Sequence, residues 1–224
     1  MSRLLYDNEH VAIGKHQLSG FLDVPEHPLG LVIFAHGSGS GRHSPRNNYV
    51  AAGLRRAGLG TLLIDLLDLN EEADRRNVFN IPLLAERLVE ATDWASSVHS
   101  FAGLRIGYFG ASTGAGAAMM AAAEVDGRIG AIVSREGRPD LAGDALERLH
   151  APTLLIVGSL DTPVIALNRA ALARILAPKE LVIVTGAGHL FEEPGTLDRV
   201  IVEAARWFTT HLSTTRAGAE NAGA

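Results

Sequence analysis

At 224 residues, with 47% hydrophobic and 20% charged side chains, the chain has an ordinary globular composition and enough length to bury about 70% of its unfolded surface. A formal charge of -5 with scattered basic residues argues against a nucleic-acid partner, and the lack of cysteine excludes disulfides, thiolate metal sites and a cysteine nucleophile. No apolar run approaches the roughly 20 residues that cross a bilayer, and the start Met1 to Asp7 turns polar before a signal-peptide core forms, so a cytoplasmic protein with no membrane partner is expected.

Strand and helix patterns alternate along the chain, with no internal repeat. Val11 to Val24 holds two short apolar stretches around Gly14-Lys15-His16 and Ser19-Gly20, as an antiparallel pair at a sheet edge would. Leu31 to Ala35 is a continuous apolar run, the pattern of a strand buried on both faces. Similar runs follow at Thr61–Ile64, Leu104–Phe109, Ala131–Val133, Leu154–Val157 and Leu181–Val184. Helical periodicity falls between them at about Asn47–Arg56, Leu83–Val98, Gly114–Ala123, Val164–Leu176 and Leu197–His211. The order predicts an α/β fold: one domain over residues 1–212, a mostly parallel twisted sheet with helices on both faces and right-handed crossovers.

Local punctuation agrees with this map. Ser44 before Pro45 reads as an N-cap with proline at the first helical position, and Pro163 and Pro194 are placed to open helices likewise. Leu67–Asn80 is polar and suits a short mobile cover; no insertion is long enough for a large lid domain. Residues 213–224 lack an apolar period and read as a disordered tail.

Chemistry enters at Tyr108-Phe109-Gly110-Ala111-Ser112-Thr113-Gly114-Ala115-Gly116. A GxSxG pattern alone is weak, but this one sits where a predicted strand gives way to a predicted helix, the setting of a nucleophile elbow. Such a serine needs a base, a group to orient that base, and donors for the oxyanion. His189, in a glycine-rich loop after the last strand, is the candidate base. Asp161, beyond the Leu154 strand, is the candidate acid, with an alternative role as N-cap at Pro163. Asp65 is a reserve acid, discounted because it precedes the serine. Ser112, Asp161 and His189 thus follow the chain order of an α/β-hydrolase.

The loop from His36 to Asn47 follows the first long parallel strand, where glycines free backbone N–H groups to face a developing charge. The oxyanion hole is assigned to the N–H groups of Ser38 and Thr113, and His36 to a structural hydrogen-bonding role. A phosphate-binding reading fails because the loop lacks both the GxxxxGK[ST] order and GxGxxG.

Five segments, HGSGSGRHSPRN at 36–47, YFGASTGAG at 108–116, SREGRPD at 134–140, LIVGSLDTPV at 155–164 and GAGHLFEEPG at 186–195, resemble the dienelactone hydrolase-like branch of the α/β-hydrolase superfamily. The resemblance implies the compact α/β-hydrolase fold, a Ser112, Asp161 and His189 triad, and cleavage of small esters or lactones without cofactor or metal. Ser112 stands where true dienelactone hydrolases carry cysteine, which favours a carboxylesterase over action on dienelactone itself.

Arg42, Arg46, Arg135 and Arg138 all follow C-terminal ends of predicted strands, where such sheets bind ligands, and are candidates to hold a substrate carboxylate. Loop arginines also meet nearby acids, and Glu136 and Asp140 are available. The pairs Glu71-Glu72 and Glu192-Glu193 read as solvated faces. The expectation is a serine hydrolase acting on small carboxylic esters or lactones. Thioesterase, amidase or acyltransferase chemistry and a non-catalytic ligand-binding protein are the alternatives, and the oligomeric state is not legible.

Overall fold

The computed structural model describes residues 4–213; apart from Ser213, the expected tail lies outside the described residues. Eight strands form one sheet: β1 (Leu4–Ile13), β2 (Leu18–Pro25), β3 (Leu31–Ala35), β4 (Gly60–Ile64), β5 (Ile106–Ala111), β6 (Ile129–Arg135), β7 (Thr153–Gly158) and β8 (Lys179–Val184). Their spatial order is β1-β2-β4-β3-β5-β6-β7-β8. The β1–β2 and β2–β4 pairs are antiparallel, and every pair from β4 to β8 is parallel. The edge strand β1 begins at Leu4, seven residues before the predicted start. It is mostly exposed, so it lacks the apolar run that marks the inner strands.

Helices α1 (Pro45–Arg56), α2 (Leu69–Ala73), α3 (Arg75–Val78), α4 (Ile81–Ser97), α5 (Thr113–Glu124), α6 (Thr162–Arg174) and α7 (Thr196–Leu212) complete the framework. Val32, Phe34, Phe109, Val133 and Ile156 pack towards α1 and α7 on one face of the sheet. Ile33, Tyr108, Ile132 and Leu155 pack towards α4, α5 and α6 on the other. Both faces being covered, successive residues are apolar whichever way they point, which is the origin of the unbroken apolar runs.

Caps fix several helix starts. Ser44 Oγ accepts the Asn47 N–H at 3.4 Å, and Pro163 lies in the first turn of α6. Pro194 does not open a helix, because Gly195, at φ 78°, is the N-cap of α7. The polar stretch at 67–80 folds into α2 and α3, capped by Asp68 and Asp74. Glu71 is not merely a solvated residue: it closes the capping box with Asp68 and pairs with the buried Arg87 at 2.7 Å.

The sheet reverses its winding at β3. The chain leaves β3 through α1 to reach β4 on one side, whereas β5 lies on the other. Open parallel sheets bind ligands beside such a switch point, outside the carboxyl ends of the strands. Ser38 follows β3 and Ser112 follows β5.

Candidate active site

β5 ends at Ala111 and α5 begins at Thr113, so Ser112 alone makes the turn between them, at φ 52° and ψ -124°. Positive φ is costly for a residue with a Cβ and persists only where its surroundings impose it. The Ser112 N–H donates to Arg135 O at 3.2 Å, while Ser112 O accepts from the N–H groups of Ala115 at 3.1 Å and Arg138 at 3.0 Å. The flanking glycines are steric requirements. A Cβ at Gly110 would come within 2.5 Å of Ala115 Cα, and one at Gly114 would overlap the carbonyl oxygens of Ala35 and His36. A Cβ at Gly37 would lie 2.9 Å from Ser112 Cβ, so the loop after β3 sits directly against the serine.

That loop is anchored by His36, buried at 6% exposure. The Leu66 N–H donates to His36 Nε2 at 3.0 Å, which makes Nδ1 the protonated nitrogen and directs it to Gly37 O, also at 3.0 Å. Burial lowers the His36 pKa, in keeping with a neutral, structural imidazole. The two expected oxyanion donors come from neighbouring segments: the Ser38 N–H donates to Thr113 Oγ1 at 3.1 Å. The Thr113 hydroxyl thus occupies the direction in which one donor points.

The loop after β8 carries His189, whose side chain is 46% exposed. Its Nδ1 lies 2.7 Å from Asp161 Oδ2. Its other oxygen, Oδ1, accepts the Val164 N–H at 3.3 Å and caps α6, so the cap that the sequence offered as an alternative is made alongside the contact with His189. The loop is held by the buried ring of Phe191 and by a bond from the Gly188 N–H to Glu193 Oε2 at 3.1 Å. Backbone N–H donors, chiefly that of Gly188, lower the Glu193 pKa, so Glu193 is a loop fastener and not a free surface acid. Asp65, the reserve acid, is bound to the backbone and guanidinium of Arg42. Among the described residues the His189 ring has no hydrogen bond to Ser112 Oγ, a link that often tightens only when substrate arrives.

Sequence reasoning missed one member of the site. Glu136 follows β6 at φ 45° and is 2% exposed. Its Oε1 accepts the Gly158 N–H, and its Oε2 stands 3.7 Å from His189 Nδ1 with no hydrogen-bond partner among the described residues. Burial, with a smaller push from Asp161 and against the pull of the Gly158 N–H and Arg135, raises its pKa to about 8. Glu136, Asp161 and His189 offer ligand-type atoms within 4.8 Å of one another. Of the three, only His189 and Asp161 are hydrogen-bonded to each other.

The four arginines separate into two kinds. Arg42 is paired with Asp65, and Arg138 meets Asp140 through two hydrogen bonds of 2.8 and 2.7 Å. Both guanidiniums thus meet acids of the chain, the alternative that the sequence offered for loop arginines. Arg135 is buried over the Phe109 ring. Its Nη2 donates to Asn47 Oδ1 at 3.3 Å, and its Nη1 has no partner among the described residues. Burial, reinforced by Arg46, lowers its pKa to about 10. Arg46 is partly exposed, 3.3 Å from Glu192. Ser38, Arg42, Arg46, Asp65 and Leu69 line part of an open cleft of about 990 Å³ beside the β3 loop.

A solved dienelactone hydrolase from Anabaena variabilis ATCC 29413 is 52% identical to the chain, with a TM-score of 0.89 over 93% of this chain and 99% of that one. The chain belongs to the dienelactone hydrolase-like family of α/β-hydrolases. This dienelactone hydrolase-like protein shares its fold more distantly with Est1E from Butyrivibrio proteoclasticus, solved with ferulic acid bound, at 18% identity and a TM-score of 0.75 over 91% of this chain and 98% of that one. A Mycobacterium tuberculosis protein (strain ATCC 25618 / H37Rv), whose name proposes a phosphoribosyl transferase, is 55% identical over 93% of this chain. The dienelactone hydrolase-like chain spans about half of that relative, 47% of its length. No family profile matches the sequence.

Proposed function

We propose that the protein is a serine hydrolase that cleaves small carboxylic esters or lactones through an acyl-enzyme on Ser112. The observation that carries this reading is the 2.7 Å bond between His189 Nδ1 and Asp161. It leaves Nε2 as the free nitrogen of the ring, on the sheet edge where the strained elbow presents Ser112.

Ser112 Oγ attacks the ester carbonyl while His189 Nε2 takes its proton, and Asp161 stabilises the imidazolium. The Thr113 N–H at the head of α5 and the Ser38 N–H receive the oxyanion, the Thr113 hydroxyl turning aside to release the latter. Collapse breaks the bond to the alkoxide, which leaves with the proton from His189. Water, deprotonated by the same nitrogen, then attacks the acyl group, and Ser112 recovers its proton as the acid departs. Every proton is thereby returned, and the chain's own residues supply each role.

The name of the M. tuberculosis relative does not carry over to this chain. The chain matches only 47% of that protein, so an activity named for the whole relative is not ascribed to it. Within the hydrolase reading, Arg135, whose Nη1 has no partner among the described residues, is the first candidate to attract an acidic substrate group, and Arg46, held by a single 3.3 Å contact to the exposed Glu192, is the second. The test is hydrolysis of p-nitrophenyl acetate by the wild type and by Ser112→Ala. A fall of at least about 10³-fold in kcat with unchanged thermal unfolding supports the reading. Equal rates would refer the activity to another group, and no hydrolysis by either protein would favour a non-catalytic binding protein.

A further inference from the structure

The scheme above leaves one buried carboxyl without a task. Glu136 lies behind the Asp161–His189 pair, in a left-handed backbone conformation that glycine would adopt more easily. One of its oxygens is fixed by the Gly158 N–H, and the other faces His189 Nδ1 from 3.7 Å without a hydrogen bond among the described residues. Three charged or titratable groups face it from three segments: Asp161 from the turn after β7, His189 from the loop after β8, and Arg135 from the end of its own strand. A side chain kept in a strained backbone, buried, and directed at the base of a catalytic pair is poorly explained by packing alone.

We propose that Glu136 is a positioning residue for the hydrolysis, acting through the Asp161–His189 pair, and that loss of its proton strengthens His189 as a base. The proposal rests on the serine hydrolase reading and adds a regulator of its pH dependence. While Glu136 is neutral, Asp161 alone opposes the imidazolium that forms in the transition state. Once it ionises, a second negative charge stands 3.7 Å from the same ring, and formation of the imidazolium becomes easier. Burial places that ionisation near pH 8, where a lone imidazole would already have given a level rate.

The test follows, against pH, the rate of Ser112 phosphonylation by a fluorophosphonate and kcat/KM for p-nitrophenyl acetate. It uses the wild type, Glu136→Gln and Glu136→Gly, with circular dichroism as the check on folding. The wild type is expected to rise in two steps, the second near pH 8 and about fivefold or larger, and both variants in one. A single ionisation in the wild type overturns the proposal even if neither variant folds, as does an upper step that survives in a folded variant. Absence of any adduct on Ser112 at every pH is a different result: the hydrolase reading itself fails, and the proposal with it.

Discussion

Replacing Glu136 with glycine is expected to leave the protein nearly as stable in mild acid and to make it more stable in mild alkali. Three local effects nearly cancel while the carboxyl is neutral. Relief of the positive φ gains about 1 kcal/mol, loss of the Gly158 N–H acceptor costs about 1 kcal/mol, and the extra chain freedom of glycine costs about 0.5–1 kcal/mol. The pH-dependent part has a definite sign. With its pKa raised from 4.5 to about 8, folded wild type keeps a proton that the unfolded chain releases, so wild-type stability falls as pH rises through that window. The full shift corresponds to about 5 kcal/mol. Solvent at the half-exposed His189 beside it screens the charge, leaving about 2–3 kcal/mol. Glu136→Gly should therefore lie within about 1 kcal/mol of wild type near pH 5 and exceed it by about 2–3 kcal/mol above pH 8, roughly 4–12 °C in Tm. Urea unfolding followed by the fluorescence of Trp94 and Trp207 at the two pH values measures this difference. A stability difference that stays constant with pH would refute the reasoning.

Asp161→Asn keeps an oxygen for the Val164 N–H but loses the carboxylate on His189, so kcat should fall about 10³–10⁴-fold with Tm little changed; ester hydrolysis and a thermal scan check both. Gly114→Ala drives a methyl group into the Ala35 and His36 carbonyls and should cost about 3 kcal/mol in urea unfolding. Arg46→Ala should slow hydrolysis of a carboxylate-bearing ester more than that of its neutral analogue, whereas Arg138→Ala, whose guanidinium is held by Asp140, should affect both alike. Equal losses for both substrates with Arg46→Ala would remove it from substrate recognition.

The parts of this molecule that were legible in the sequence are those dictated by local chemistry. Inner strands announce themselves because residues on both faces must be apolar, and the elbow at Ser112 because its glycines are steric necessities. Chain order and their places after late strands suggested Asp161 and His189, but not that Asp161 divides its oxygens between a helix cap and the imidazole, which depends on how α6 and the β8 loop meet. Arg135 illustrates a signal present but unused: it continues the alternation of Ala131 and Val133, whose side chains face α1 and α7. Glu136 was harder to foresee. In SREGRPD it reads as a ready partner for the arginines, a role that Asp140 takes instead; its direction towards His189 depends on a left-handed backbone at the strand end. Likewise Glu71 and Glu193 look like surface acids until their partners, Arg87 and the Gly188 N–H, are brought near by the fold.

Acylation of Ser112 is the central step of the proposed hydrolysis. Incubating the folded protein with a fluorophosphonate and locating the adduct by peptide mass spectrometry tests this directly. One adduct per chain, on Ser112, formed far more slowly in Asp161→Asn, is the expected result. A folded protein that remains unmodified, or is modified elsewhere, would contradict the account.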